Sequence, residues 1–176
     1  MNIVLIGFTS SGKTATGQCL ARKLDQAHLD LDDCIESLFA AQTGRTMSVR
    51  DMFQQLGENA FEEWEVRTLH DLELRERFIL STGGRTPLTP IVQPVLKTLG
   101  AVIYLRTHPE TVLKRMQSKG LPAYLTDNPT LANVERIWQE RDAVYRSLAD
   151  YCVDNTDLTV EQTADAVIRH VHSQQE

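Results

Sequence analysis

The feature that most constrains this chain is the passage from an apolar run, "NIVLI" (2–6), into "GFTSSGKT" (7–14) and then "ATGQCLARKL" (15–24). The first run is short and unbroken, as a strand buried on both faces is. From residue 13 to 24 the apolar positions return every three or four residues, which is the period of a helix. Between them lies the full spacing G-x-x-x-x-G-K-[ST], the pattern of a phosphate-binding loop. Gly7 and Gly12 permit the turn, and the amides of residues 9–14, with the positive end of the helix dipole, face a phosphate chain. Lys13 reaches between a β- and a γ-phosphate, and Thr14 offers its hydroxyl to Mg²⁺. Gly7, Ser10, Ser11, Gly12, Lys13, Thr14 and Ala15 are therefore the expected nucleotide-binding residues, with Lys13 also expected in catalysis. The plain alternative is a glycine turn that binds nothing.

The rest of the chain repeats the alternation of strand and helix. "AHLDL" (27–31) reads as a second strand, followed by a helix over 33–41, and 48–76 as two helices broken near Gly57. "RFILS" (77–81), "AVIYLR" (101–106) and "YCVD" (151–154) read as the third to fifth strands, with helices over 89–98, 108–117, 131–149 and 159–173. Strands joined by helical crossovers imply a parallel sheet covered on both faces, so the expected class is α/β with a five-stranded parallel sheet flanked by helices. At 176 residues and 41% apolar content the chain suits one domain over 1–176, with a sizeable core. "SKGLPAYLTDNPT" (118–130) is the long irregular stretch, of the kind that forms a lid. A net charge of −6, with 18 Lys and Arg dispersed along the chain, argues against nucleic acid or an anionic membrane as partner. The apolar stretches are too short to span a bilayer, and the N-terminus lacks the pattern of a secretion signal. Cys19, Cys34 and Cys152 read as buried thiols of a reducing cytoplasm, and His170 and His172 as exposed helix residues. The protein is expected to act as a monomer on a small molecule.

The acceptor side rests on two further stretches. In "HLDLDD", Asp30 and Asp32 fall on one side of the end of the second strand, where ligands bind in an open parallel sheet. One aspartate would hold the Mg²⁺ shell and the other would orient or deprotonate a hydroxyl; Asp32 or Asp33 could equally cap the helix that follows. "STGGRTP" puts Gly83 and Gly84 after the third strand, either for close approach to a ligand or as a turn. The chain has no Asn/Thr-Lys-x-Asp guanine reader, and neither the third nor the fourth strand ends in a catalytic acid pair. What remains is a small-molecule phosphotransferase.

Taken together, the P-loop, "DLD", "TGRTMSVRDMF", "GENAFEEWE", "TGG", a Pro-bearing lid and "ERDAVYRSLAD" resemble the shikimate kinase family over nearly the whole length, apart from a slightly longer "TGRTMSVRDMF" segment. The resemblance implies a P-loop kinase fold with a helical substrate-binding region at about 33–76 and a lid at about 118–130. It implies ATP and Mg²⁺ as cofactors and transfer of the γ-phosphoryl to the 3-hydroxyl of shikimate, a step of aromatic amino acid biosynthesis. It places Asp30 by Mg²⁺, Asp32 at the acceptor hydroxyls, a Gly84 amide at the substrate, Arg141 on its carboxylate and Arg115 over the adenine. From the residues alone, Arg141 reads as an exposed helix charge beside Glu140. Three positions depart from the family: Glu62 stands for an arginine, Arg85 for a third glycine, and Leu121 before Pro122 for the lid arginine. Reversing a charge beside an anion matters, since two unit charges ~4 Å apart are worth ~4 kcal/mol at an effective dielectric near 20. Arg85 would restore the lost cation by forming a carboxylate clamp with Arg141, or would point outward and pair with Glu62 or Glu65. Lys119, two residues before Leu121, would take over the lid charge. The other readings are a kinase for another hydroxy acid, such as a gluconate-type acid, and a nucleotide-binding relative that no longer transfers phosphate.

Overall fold

The computed structural model describes residues 1–122, 125–126 and 128–173, with Lys119 by its backbone alone. Its five strands are β1 (Ile3–Ile6), β2 (Ala27–Asp30), β3 (Phe78–Ser81), β4 (Ala101–Arg106) and β5 (Tyr151–Asp154). They form one sheet in the order β2-β3-β1-β4-β5, with every pairing parallel. The helices are α1 (Lys13–Leu24), α2 (Leu31–Thr43), α3 (Val49–Leu56), α4 (Glu58–Leu72), α5 (Gln93–Leu99), α6 (Pro109–Lys119), α7 (Leu131–Leu148) and α8 (Val160–Ser173), with a 3-10 turn at Thr86–Leu88.

Because side chains alternate along a strand, β1 feeds two cores. Ile3 and Leu5 pack with Ile79, Ile103 and the apolar faces of α1 and α8, including Leu20, Ala164 and Val167. Val4 and Ile6 face the larger core with Leu80, Val102 and Tyr104, closed by Leu31 and Ile35 of α2, Leu69 of α4, Leu96 of α5 and Trp138 of α7. The centre of the sheet is thus buried on both sides, as an unbroken apolar run requires. With β3 on one side of β1 and β4 on the other, the loop after β1 opens at the C-terminal edge of the sheet, where the crossovers diverge.

Some local expectations are corrected. β2 ends at Asp30 and α2 starts at Leu31, two residues before the expected helix over 33–41. The cause is the cap: Asp30, not Asp32 or Asp33, accepts the amide of Asp32 at 3.2 Å, which turns the chain into the helix at once. Asp30 and Asp32 therefore do not share one side of a strand. The helix expected over 89–98 begins at Gln93, after the separate 3-10 turn. Pro94 lies in its first turn, the position a residue without an N–H tolerates. His170 is not freely exposed; it stacks on Tyr151 with ring centroids 3.6 Å apart. Of the thiols only Cys19 is fully buried, and all three are unpaired. Among the described residues no helix is long and apolar enough to cross a membrane.

One polar network seats α7 on the sheet. Arg106, at the end of β4, bonds Asp142 at 3.1 Å and Asp154 at 3.0 Å and lies 4.6 Å from the ring centre of Trp138. The Trp138 indole donates to the Thr107 carbonyl at 2.8 Å, and the Tyr104 hydroxyl donates to Asp142 at 2.8 Å. These bonds fix the face of α7 that carries Arg141 and Tyr145.

Candidate active site

The loop after β1 folds over the start of α1. Ser10 and Gly12 take left-handed backbone angles, φ 63° and 97°, a conformation in which Gly12 carries no side-chain penalty. The Ser11 carbonyl accepts from Asn155 at 2.8 Å, Thr107 at 3.3 Å and Arg115 at 3.4 Å. Arg115 also reaches the Ser10 carbonyl at 3.5 Å, so it lies along the rim of the loop. Thr14 and Ala15 are exposed at the helix start. The Lys13 ammonium donates to the carbonyls of Gly7 and Phe8, both at 2.9 Å. Burial lowers its pKa to about 8, with Asp30 and Asp32 pulling it up and Arg141 pushing it down. It is still a cation at neutral pH, placed where phosphate oxygens would meet the loop.

Asp30 does two jobs at the end of β2. One oxygen caps α2, and the other accepts the Thr14 hydroxyl at 3.3 Å. A hydroxyl and a carboxylate side by side, beside a phosphate-facing loop, are the oxygen donors that suit Mg²⁺, which keeps most of its shell as water and phosphate. Among the described residues no cluster of three or more His, Cys, Asp and Glu forms a dedicated cage.

Beyond Asp30 a cavity of about 520 Å³ opens between the loop after β3 and helices α2, α3 and α4. Thr82 anchors that loop by bonding the Leu5 carbonyl through its amide, at 3.1 Å, and its hydroxyl, at 3.0 Å. Gly84 then lies against the phosphate loop so closely that a Cβ there would stand 2.7 Å from the Thr9 hydroxyl. Its carbonyl accepts the Tyr145 hydroxyl at 2.6 Å. Gly83, Gly84 and Asp32 face the cavity, with Phe53 and Phe61 as its aromatic wall. The Asp32 carboxyl is pushed up to about 6 by burial, with Asp30 and Glu36 adding to the effect and Lys13 opposing it. Glu65, buried beneath the cavity, is pushed up to about 7 for the same first reason.

The arginines do not lie quite as expected. Arg85 lines the cavity, but it pairs with Glu58 at 2.5 Å, not with Glu62 or Glu65, and its guanidinium covers the Phe53 ring at 5.2 Å. Glu58 begins α4 one turn before Glu62, a partner remote in sequence from Arg85. Arg141 is half-buried over the Phe8 ring at 5.1 Å, while Glu140 pairs with Arg136; the exposed-charge reading of Arg141 is therefore corrected. Lys119 closes α6, and its side chain lies outside the described part. Leu121 and Pro122 border the cavity, whereas lid residues 123, 124 and 127 lie outside the described residues.

A phosphate loop, a hydroxyl–carboxylate pair and an acceptor cavity thus meet within one crevice. The family model described as shikimate kinase matches residues 9–172. This chain belongs to the shikimate kinase family. It is 34% identical to a shikimate kinase of Burkholderia lata, over 87% of this chain and 80% of that one. Identity to a shikimate kinase of Thermoanaerobacter pseudethanolicus is 32%, over 96% of this chain and 94% of that one. Among solved structures, the shikimate kinase of Acinetobacter baumannii in complex with shikimate superposes with a TM-score of 0.83 at 30% identity, covering 98% of this chain and 93% of that one. The five-stranded parallel sheet and its helical layers are those of this family.

Several site residues were not singled out in the sequence. Thr107 and Asn155 hold the phosphate loop from two other strand ends, linked to each other at 2.6 Å; their only sequence signal is a position just after β4 and β5. Glu65 lies with Leu69 and Leu72 on the buried side of α4, a helical spacing that would have marked it as an inward acid. Arg50 and Tyr145 reach the site from helices whose docking is set by distant contacts.

Proposed function

We propose that this protein is an ATP-dependent kinase that transfers the γ-phosphoryl group to the 3-hydroxyl of shikimate, giving shikimate 3-phosphate. The observation that carries the reading is the contact of Gly84 with Thr9, which sets the acceptor cavity directly against the phosphate loop. The shikimate-bound family member of like fold and 30% identity supports the choice of acceptor.

Each group has a role that its surroundings suit. The loop amides and Lys13 bind the phosphates and balance charge that builds up during transfer. Thr14 and Asp30 would hold Mg²⁺, which supplies further charge neutralisation when bound. Asp32, facing the cavity with a pKa near 6, orients the attacking hydroxyl and accepts its proton, a task best done by a group that titrates close to the working pH. Gly83 and Gly84 present backbone to the acceptor. Arg141 lies on the phosphate side, over Phe8. Arg85 lines the acceptor cavity while paired with Glu58.

A coupled assay of ATP turnover with shikimate, with gluconate and with no acceptor tests the reading. Turnover should require shikimate and vanish in Lys13→Ala, whose circular dichroism should match the parent. Turnover with gluconate instead, or unchanged turnover in Lys13→Ala, would overturn it.

A further inference from the structure

The acceptor cavity carries more negative than positive charge. Asp32, Glu58, Glu62 and Glu65 line it, against Arg50 and Arg85. Glu58 and Arg85 cancel each other in a direct ion pair. An anionic acceptor entering this space needs a cation that is not already engaged, and Glu62 makes the need greater.

We propose that Arg50 is that cation: it binds the acceptor's carboxylate and makes the site choose acids over uncharged hydroxylated rings. Arg50 lies in the first turn of α3. The helix is fixed by Ser48, which caps the Asp51 amide at 3.1 Å, and by Glu36, which accepts the Val49 amide at 2.9 Å. Met52 points into the core, so the opposite side of the helix is free to face the crevice. Val49, Arg50, Phe53 and Gln54 all line the cavity, as residues one turn apart on one helix face do. That face offers apolar surface next to a charged and an amide group, a match for a carboxylated ring with hydroxyls. Arg50 is exposed, and among the described residues its side chain has no hydrogen bond, ion pair or ring contact. A planar guanidinium with open donors can bind a carboxylate through two parallel bonds. Arg85 would have to break its pair first, and Arg141 approaches from the Phe8 side of the crevice.

The inference rests on the shikimate reading, and the test separates the two. Steady-state kinetics of the full chain are measured with shikimate and with its methyl ester, at saturating ATP and again with ATP varied. The parent should prefer the acid by tenfold or more in kcat/KM. Arg50→Gln should raise KM for shikimate by about tenfold to a hundredfold, the worth of one charge-assisted pair. KM for ATP should stay within about twofold, and the preference for acid over ester should collapse. Arg50→Lys should recover part of that preference. Turnover of shikimate with an unchanged KM in Arg50→Gln overturns this inference alone, as does an equal loss for acid and ester. No turnover of shikimate by the parent overturns the functional reading and this inference with it.

Discussion

Replacing Glu65 with glutamine should change how stability responds to pH more than it changes the fold. Glu65 is 3% exposed on the inner side of α4. Burial is the largest cause of its shift from 4.5 to about 7; Asp32 and Glu62 add to it, while a hydrogen bond from Thr86 and the charge of Arg85 oppose it. A rise of ~2.5 units is ~3 kcal/mol of preference for the protonated form in the folded chain. Between 4.5 and about 7 the folded state holds more protons at this site than the unfolded state. The stability this group contributes is therefore complete below 4.5 and lost as pH rises through about 7. Glu65→Gln keeps the Thr86 contact without a titrating proton, so it should escape that loss. Between about pH 5 and about pH 8 the parent should lose ~2–3 kcal/mol more than the variant, on the order of 5–10 °C in melting temperature for a domain of this size. Asp32, also raised, drives both proteins in the same direction and largely cancels in the difference. Urea denaturation at a series of pH values measures it. Parallel stability–pH curves for parent and variant would refute the assignment of a buried, raised carboxyl at this position.

Two further substitutions test the site directly. Asp32→Asn should lower kcat with little change in ATP affinity, and the acid limb near pH 6 in the parent's profile should disappear; Asp30→Asn should instead weaken the response to Mg²⁺, and the reverse pattern would exchange their roles. Gly84→Ala drives a methyl group to within 2.7 Å of the Thr9 hydroxyl and 3.1 Å of its amide nitrogen, a clash of ~1–3 kcal/mol. It should raise KM for both substrates, with partial recovery in Gly84→Ala/Thr9→Ala; unchanged kinetics would show that the two loops are not in contact during turnover.

The parts of this protein that were readable in its sequence are those that physics ties to local spacing. The phosphate loop has to follow a buried strand and open a helix, so its order alone placed Lys13 and Thr14. Short apolar runs also located all five strands, and Gly57 marked the break between α3 and α4. Capping preference, however, does not choose among Asp30, Asp32 and Asp33, because each is a good cap; the choice comes from Asp30 being held by Thr14, a residue on another element. The partner of Arg85 was illegible for a similar reason, since Glu58, Glu62 and Glu65 share one helix and only its tertiary placement decides which carboxylate is met. Thr107 and Asn155 are ordinary polar residues until β4 and β5 bring them under the phosphate loop.

The grip of those two residues and Arg115 on the Ser11 carbonyl decides when the cradle's conformational entropy is surrendered. With three donors from outside the loop fixed on one carbonyl, that loss falls at folding and not at ligand capture. Nucleotide association should then need no slow rearrangement of the loop. In a stopped-flow experiment the observed rate should rise linearly with ATP concentration, and in Asn155→Ala, which frees the carbonyl from its shortest bond, it should level off to a plateau set by loop closure.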